Sequence, residues 1–143
     1  MQRNWRLFAG AFSIAPHMQS PKEFIQSYLK EKARVHEMWS NAWKPVHARF
    51  FQPDYRPLSP EKSAALSKAE TVLDVANFHD SAVVITSGYG ERFKLRYTLL
   101  TVGESWQISQ IDLECAMCRT TGKRNEKECK LCGGKGWKTM QST

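Results

Sequence analysis

Four cysteines, and only four, occur in the chain, spaced Cys115-x2-Cys118-x10-Cys129-x2-Cys132. Each C-x2-C pair forms a tight turn that aims two sulfurs at one point. Two such turns complete a tetrahedron of thiolates, the ligand set of a structural zinc site. A tetrahedron closed by four protein sulfurs leaves no position for water, so the expected metal is one structural Zn2+ held by Cys115, Cys118, Cys129 and Cys132. Two other readings use the same residues. Disulfides call for an exporting context, of which the chain carries no clear sign. A thioredoxin-like redox pair calls for one C-x-x-C between a strand and a helix, not two knuckles rich in glycine and lysine.

The residues that follow each pair sharpen the metal reading. The second knuckle is C-x-x-C-x-G-x-G over residues 129–136, with Gly134 and Gly136 in the glycine places. The first, over 115–122, has Thr120 and Gly122 there. The chain must turn back under the metal, often at positive φ, so that amides can face the thiolates. Residues 115–136 resemble the zinc-binding repeats of DnaJ-type cochaperones. Those carry four repeats and two metal sites, whereas this chain has two repeats and one site. The resemblance therefore implies the metal and the local fold and not a chaperone role.

The elements that must hold the knuckles come before them. Ser20-Pro21-Lys22-Glu23 is a helix start: serine caps, proline suits the first position and the glutamate bonds back. Phe24, Ile25, Tyr28, Leu29, Val35, Met38, Trp39, Ala42 and Trp43 keep helical spacing, and Pro45 ends or kinks that helix near Trp43. A second helical piece follows over 46–51, then a loop at 52–57 and a short helix from Ser59 through Leu66. Beyond it the period changes to two. Strands are expected at 69–78, 81–87, 91–102 and 105–113, with turns at His79-Asp80, 88–90 and Gly103-Glu104. In the third, Phe93, Leu95, Tyr97 and Leu99 face one side and Arg92, Lys94, Arg96 and Thr98 the other. In the fourth, Trp106 and Ile108 share one phase while Ile111 and Leu113 share the other, which calls for a bulge near Ser109 or Gln110. Cys115 follows at once, so the knuckles are anchored on the sheet. Removing the metal is then expected to loosen 114–138 and leave the helix and sheet folded.

The fold class is α+β: N-terminal helices packed on a curved antiparallel sheet, with a four-cysteine zinc extension. The divisions are an N-terminal segment 1–19, the α+β domain 20–113, the knuckle pair 114–138 and a tail 139–143. The helix at 20–43, Phe50-Phe51-x-Pro53-Asp54-Tyr55, and residues 95–100 with Trp106-Gln107-Ile108 resemble the nuclear transport factor 2-like, or SnoaL-like, superfamily. That resemblance implies a cone, or cystatin-like roll, wrapped on the long helix. It also implies polar candidates inside it: Asp54, Tyr55, Asp74, Tyr97, His47 and His79, with Trp39 and Trp43 lining a pocket. An enzyme would need one of these as a base and a donor opposite it. No spacing among them demands this: Asp54 follows a proline in a turn, His79 and Asp80 sit at a hairpin, and Trp39 and Trp43 fit helix–sheet packing. No catalytic set is assigned.

The chain carries a formal net charge of +7 and a pI near 9.4. That excess suits an acidic protein, a nucleic acid or solubility alone. Arg92, Lys94 and Arg96 form a basic strand face, and lysines surround the cysteines. No exposed aromatic interleaves the strand face, so phosphate binding is the weaker reading. Residues 7–15 are apolar and follow Arg3 and Arg6; they are read as a segment packed on the domain and not as a signal peptide. No run is long enough to span a membrane, and free thiols point to the cytoplasm. The expected function is a non-catalytic binding protein with a protein partner. Some small bacterial members of the cone superfamily are toxin-neutralising immunity proteins, so the resemblance implies a toxin as that partner. The alternatives are a small-molecule enzyme or carrier using the cone, and a nucleic-acid module using the basic face and knuckle.

Overall fold

The computed structural model describes residues 19–35, 43–55, 70–88 and 93–140. The expectations placed on 1–18, Met38, Trp39, Ala42, the helix from Ser59, the turn at 89–90, Arg92 and 141–143 lie outside the described residues. The described elements are helices α1 (Pro21–Val35) and α2 (Trp43–Phe50) and strands β1 (Thr71–Asn77), β2 (Ser81–Gly88), β3 (Phe93–Val102), β4 (Ser105–Glu114), β5 (Lys123–Arg124), β6 (Lys127–Glu128) and β7 (Trp137–Thr139). The α+β class is thus observed. Five strands form one antiparallel sheet in the order β1-β2-β3-β4-β7, and β5 and β6 form a separate hairpin.

Helix α1 begins as its sequence dictates. The Glu23 amide donates to Ser20 Oγ (3.1 Å) and the Ser20 amide donates to Glu23 Oε1 (3.0 Å), a reciprocal capping box with Pro21 at the first helical position. Its buried face is Phe24, Ile25 and Tyr28. Helix α2 begins at Trp43, earlier than the break expected at Pro45. Pro45 falls in the first turn, where a missing N–H costs nothing because that donor has no intrahelical partner.

The alternation of β3 buries Leu95, Tyr97 and Leu99. In β4 the phase switch is resolved by a bulge at Ser109: Leu99 pairs with Ile108 and Thr98 with Gln110, leaving Ser109 between them. The Ser109 hydroxyl donates to the Thr98 carbonyl at 3.1 Å. The extra residue puts Trp106, Ile108 and Ile111 all on the core side. A second irregularity, absent from the sequence reading, lies in β1. Val72 pairs with Thr86 and Asp74 with Ile85, so Leu73 is unpaired and half exposed.

Helix α1 packs on β1 and β2, and α2 on β4. The space between helices and sheet is filled by rings. Tyr28 meets Phe50, Phe51 and Tyr97 edge-on at centroid distances of 5.5, 5.3 and 6.0 Å, and Phe24 meets Phe50 at 5.3 Å. Such contacts contribute about 0.5–1.5 kcal/mol each beyond area burial.

The chain beyond the cysteines also belongs to this fold. β7 pairs with β4 (Asp112 with Thr139, Glu114 with Trp137), and Met140 is buried in the main core. The tail expected at 139–143 is corrected accordingly: Thr139 and Met140 are sheet and core. Tyr55 clasps this edge. Its hydroxyl donates to the Met140 carbonyl and accepts from the Ile111 amide at 3.1 Å, and burial pushes it up to about 12.

Candidate metal centre

The knuckle segment leaves the sheet at the end of β4 and returns to it at β7, so both of its ends are fixed by strand pairing. Within it the two C-x-x-C turns are built alike. Thr121 N donates to Cys118 O (3.3 Å), and Lys135 N to Cys132 O (3.4 Å). The turns then bond each other reciprocally. Cys129 N donates to Gly122 O and Cys115 N to Gly136 O, both at 2.9 Å. Each knuckle's last glycine therefore accepts from the other knuckle's first cysteine. Equivalent residues carry equivalent left-handed backbone: Arg119 and Gly133 (φ 53° and 67°), Thr120 and Gly134 (74° and 82°), Gly122 and Gly136 (75° and 81°). The pseudo-twofold repeat visible in the sequence is a pseudo-twofold structure.

Gly122 and Gly136 cannot be anything else. A Cβ on Gly122 would lie 2.3 Å from the Gly134 carbonyl oxygen, and one on Gly136 would lie 2.5 Å from that of Thr120. Both obstacles are backbone and cannot swing away. Gly133 has similar φ but open space where its Cβ would go. Gly136→Ala is therefore expected to cost about 3 kcal/mol or more, the sum of left-handed strain and backbone displacement, against about 1 kcal/mol for Gly133→Ala. Thermal melting of the two metal-loaded variants side by side checks this difference. Thr120 shows the opposite case, a β-branched residue at φ 74° where the other knuckle has glycine. Thr120→Gly is expected to stabilise the metal-loaded protein by about 1 kcal/mol, read as a rise in melting temperature.

The result of this framework is a cluster of four sulfurs all within 4.8 Å of one another, buried except at Cys132. Cys115 Sγ is 3.8 Å from Cys129 Sγ, and Cys118 Sγ is 3.5 Å from Cys132 Sγ. A tetrahedron with metal–sulfur bonds of ~2.3 Å has edges of ~3.8 Å, whereas a disulfide requires ~2.05 Å. These two edges are close to those of a metal tetrahedron and far from a disulfide, so the cluster could hold a metal ion. The Gly136 amide donates to Cys132 Sγ at 3.1 Å, a bond that favours thiolate. Without a cation the four sulfurs conflict. Burial, with the neighbouring sulfurs, pushes the Cys118 thiol up to about 11. Burial acts upward at Cys132 too, but the Gly136 amide and the other sulfurs outweigh it and bring that thiol down to about 7. One dipositive ion removes the conflict.

Charged side chains tie the cluster to the sheet. Buried Glu114, next to Cys115, pairs with Arg119 Nε at 3.1 Å. Asp112 accepts from Arg96 Nε and Nη2 at 3.1 and 2.9 Å and from the Thr139 hydroxyl at 3.0 Å. The Arg96 guanidinium also lies 4.6 Å over the Trp137 ring. Arg96 is thus engaged by Asp112 and Trp137, while Lys94, two residues earlier on β3, is exposed.

Among the described residues the expected pocket residues do not converge; Trp39 and the side chain of Trp43 lie outside them. Asp54 is exposed in its turn, and Asp74 is exposed on β1, where its carboxylate accepts from the Val75 amide. Tyr55 is the β4–β7 clasp and Tyr97 lies in the core. His47 stacks on Phe51 (centroids 5.2 Å apart) and its Nε2 donates to the Tyr55 carbonyl at 2.8 Å; His79 is exposed at the hairpin. The groove between Phe24, Phe50, Trp106, Arg49 and Glu104 contains none of these.

The sequence reading missed one polar cluster. Glu70 accepts from the Thr86 hydroxyl and from Tyr97 Oη (2.6 Å), with Lys32 Nζ 4.0 Å from its other oxygen. Both Lys32 and the Glu70 carboxylate are buried. Burial raises the pKa of Glu70 and lowers that of Lys32. One signal was available: Lys32 continues the Ile25–Tyr28 stripe of α1 one turn further, so it lies on the buried face.

Comparison with known protein families, curated proteins and solved structures yields no match.

Proposed function

We propose that the chain is a non-catalytic binding protein whose four cysteines hold one structural Zn2+. The observation that carries the metal is the sulfur cluster itself: two reciprocally bonded knuckles bring four thiols within 4.8 Å of one another. Four-thiolate tetrahedral sites suit zinc, and they leave no position for water or substrate. The non-catalytic reading is supported by the scatter of the candidate acids and bases and by the aromatic filling between helix and sheet. We read the α+β part as a cone of the nuclear transport factor 2-like kind, an arrangement supported by the packing of α1 against β1 and β2. The partner is proposed to be a protein, and the compartment a reducing one in which the thiols stay available to metal. Among the described residues no helix is long and apolar enough to cross a membrane.

Cobalt substitution tests this reading. One Co2+ per chain is expected, with intense sulfur-to-cobalt charge-transfer bands and tetrahedral d–d bands that do not change when azide is added. A six-coordinate spectrum, or bands that respond to azide, would show an open site and overturn the structural assignment.

A further inference from the structure

The knuckles do more than close on themselves. Met117 and Leu131 each occupy the third position of their C-x-x-C turns, so the pseudo-twofold makes them equivalents. Both are about half exposed, 47% and 53%, although the sulfurs beside them are mostly buried. A metal-held turn that presents an aliphatic side chain at the same place twice gives two rigidly positioned apolar contacts. Along the same segment the charge is one-sided. Between Cys115 and Lys138 there are seven Lys or Arg residues against two Glu. A four-thiolate zinc centre contributes two negative charges, so the segment stays positive when loaded. Lys123, Arg124, Lys127, Lys130 and Lys135 are all exposed, and none has an ion pair among the described residues.

Two classes of partner carry the complementary charge, and the surface distinguishes them. Single-stranded nucleic acid needs open aromatic faces on which bases stack, and duplex recognition commonly uses a helix or ribbon fitted to a groove. Trp137 is the only aromatic residue from 115 to 138, and the Arg96 guanidinium covers its ring. The segment contains no helix. An acidic polypeptide carrying aliphatic side chains fits both features. Its carboxylates meet the lysines, which favours encounter, and its apolar residues bury Met117 and Leu131, which favours retention. Methionine is adaptable enough to pack against varied shapes. We infer that the knuckle surface is the docking face for an acidic polypeptide segment bearing aliphatic anchors, with Met117 and Leu131 as its apolar contacts. This rests on the structural-zinc reading above.

The test uses the full chain with one zinc verified by elemental analysis, and three probes read by fluorescence anisotropy: a short peptide alternating glutamate and leucine, a glutamate-only peptide of equal charge, and a single-stranded oligonucleotide. The glutamate–leucine peptide is expected to bind best. Met117→Ser with Leu131→Ser should weaken it by about ten-fold or more while leaving the glutamate-only peptide unchanged. Lys123→Glu with Lys130→Glu should abolish binding of both peptides, and Met117→Leu should retain it. Unchanged zinc content and circular dichroism in these variants separate lost contacts from lost folding. Tighter binding of the oligonucleotide, or no loss in the serine variant, would overturn the inference and leave the structural-zinc reading standing. A chain that takes up no zinc would overturn both.

Discussion

Chelating the metal, or replacing Cys129 with serine, is expected to unfold the knuckles and also to weaken the main sheet, lowering its melting temperature by roughly 10 °C. The knuckle has little apolar core of its own, so its folding free energy is essentially metal-binding free energy, of order 10 kcal/mol. Sequence spacing alone confines the damage to 114–138. The structure extends it through β7, which is held on one side only by its pairing with β4 and continues into buried Met140. When the knuckle opens, the return of the chain at Gly136 is lost and β7 has no fixed start. Releasing Met140 removes about 1.5–3 kcal/mol of burial. The Tyr55 hydroxyl loses its acceptor at Met140 and keeps the Ile111 carbonyl at 3.3 Å, which adds about 0.5–1.5 kcal/mol. Together these give several kcal/mol, and a domain of this size shifts by roughly 2–4 °C per kcal/mol. Hydrogen exchange is the measurement. Amides of Ile111, Leu113 and Trp137–Thr139 should lose protection on chelation, while β2 and β3 keep theirs. Exchange that rises only between 115 and 136 would mean β7 stays docked without the metal.

Lys32→Met is expected to cost about 3–5 kcal/mol near neutral pH, because it leaves the buried Glu70 carboxylate without its cation. The cost depends on pH, with a sign set by burial. Glu70 has a folded pKa above its ordinary value, because burial outweighs Lys32 and the two hydroxyl donors. Folded protein therefore holds that proton at pH values where unfolded protein has released it. Stability from this group is highest in acid and falls as pH rises from the ordinary carboxylate range through the folded pKa. Removing Lys32 takes away an influence that lowers the Glu70 pKa, so the Met variant should lose stability over a wider pH range than the parent. Lys32 has the opposite sense. Burial holds its folded pKa below the ordinary lysine value, so its penalty is present at neutral pH and fades as pH rises past that folded pKa. The facing groups are Tyr28 from α1, Thr86 from β2 and Tyr97 from β3; burial, then the Glu70 charge, holds both tyrosines well above the usual phenol range, so they stay neutral throughout. Urea unfolding at pH 4.5 and pH 7.5 should show a small deficit in acid and a large one at neutrality. Lys32→Met with Glu70→Gln should recover much of the loss. A deficit independent of pH, or a double variant as weak as the single one, would contradict the pairing.

The parts of the fold that could be read in advance are those written in local periodicity. The capping box at Ser20 and Glu23, the alternation of β3, the phase switch that demands a bulge at Ser109 and the paired C-x2-C turns all lie within a few residues of their cause. The rest depends on partners far along the chain. Tyr55 is one residue after a Pro-Asp turn, and nothing beside it indicates that its hydroxyl reaches a carbonyl 85 residues away. β7 is too short for a strand pattern of its own and forms because the knuckle returns it to β4. Glu70 follows an alanine at a strand start, and its burial is decided by Lys32 and Tyr97, brought in by α1 and β3. The cysteine cluster was legible because a four-thiolate site requires a spacing. No such requirement ties the expected pocket residues to one another, and the structure places Asp54 and Asp74 on separate exposed segments and Tyr97 in the core.

X-ray absorption at the zinc edge, on chain purified under reducing conditions and quantified by elemental analysis, tests the structural zinc most directly. One zinc per chain is predicted, with four sulfur neighbours at ~2.3 Å and no oxygen or nitrogen in the first shell. A chain without zinc, or a zinc with fewer than four sulfurs and a light-atom neighbour, would contradict it.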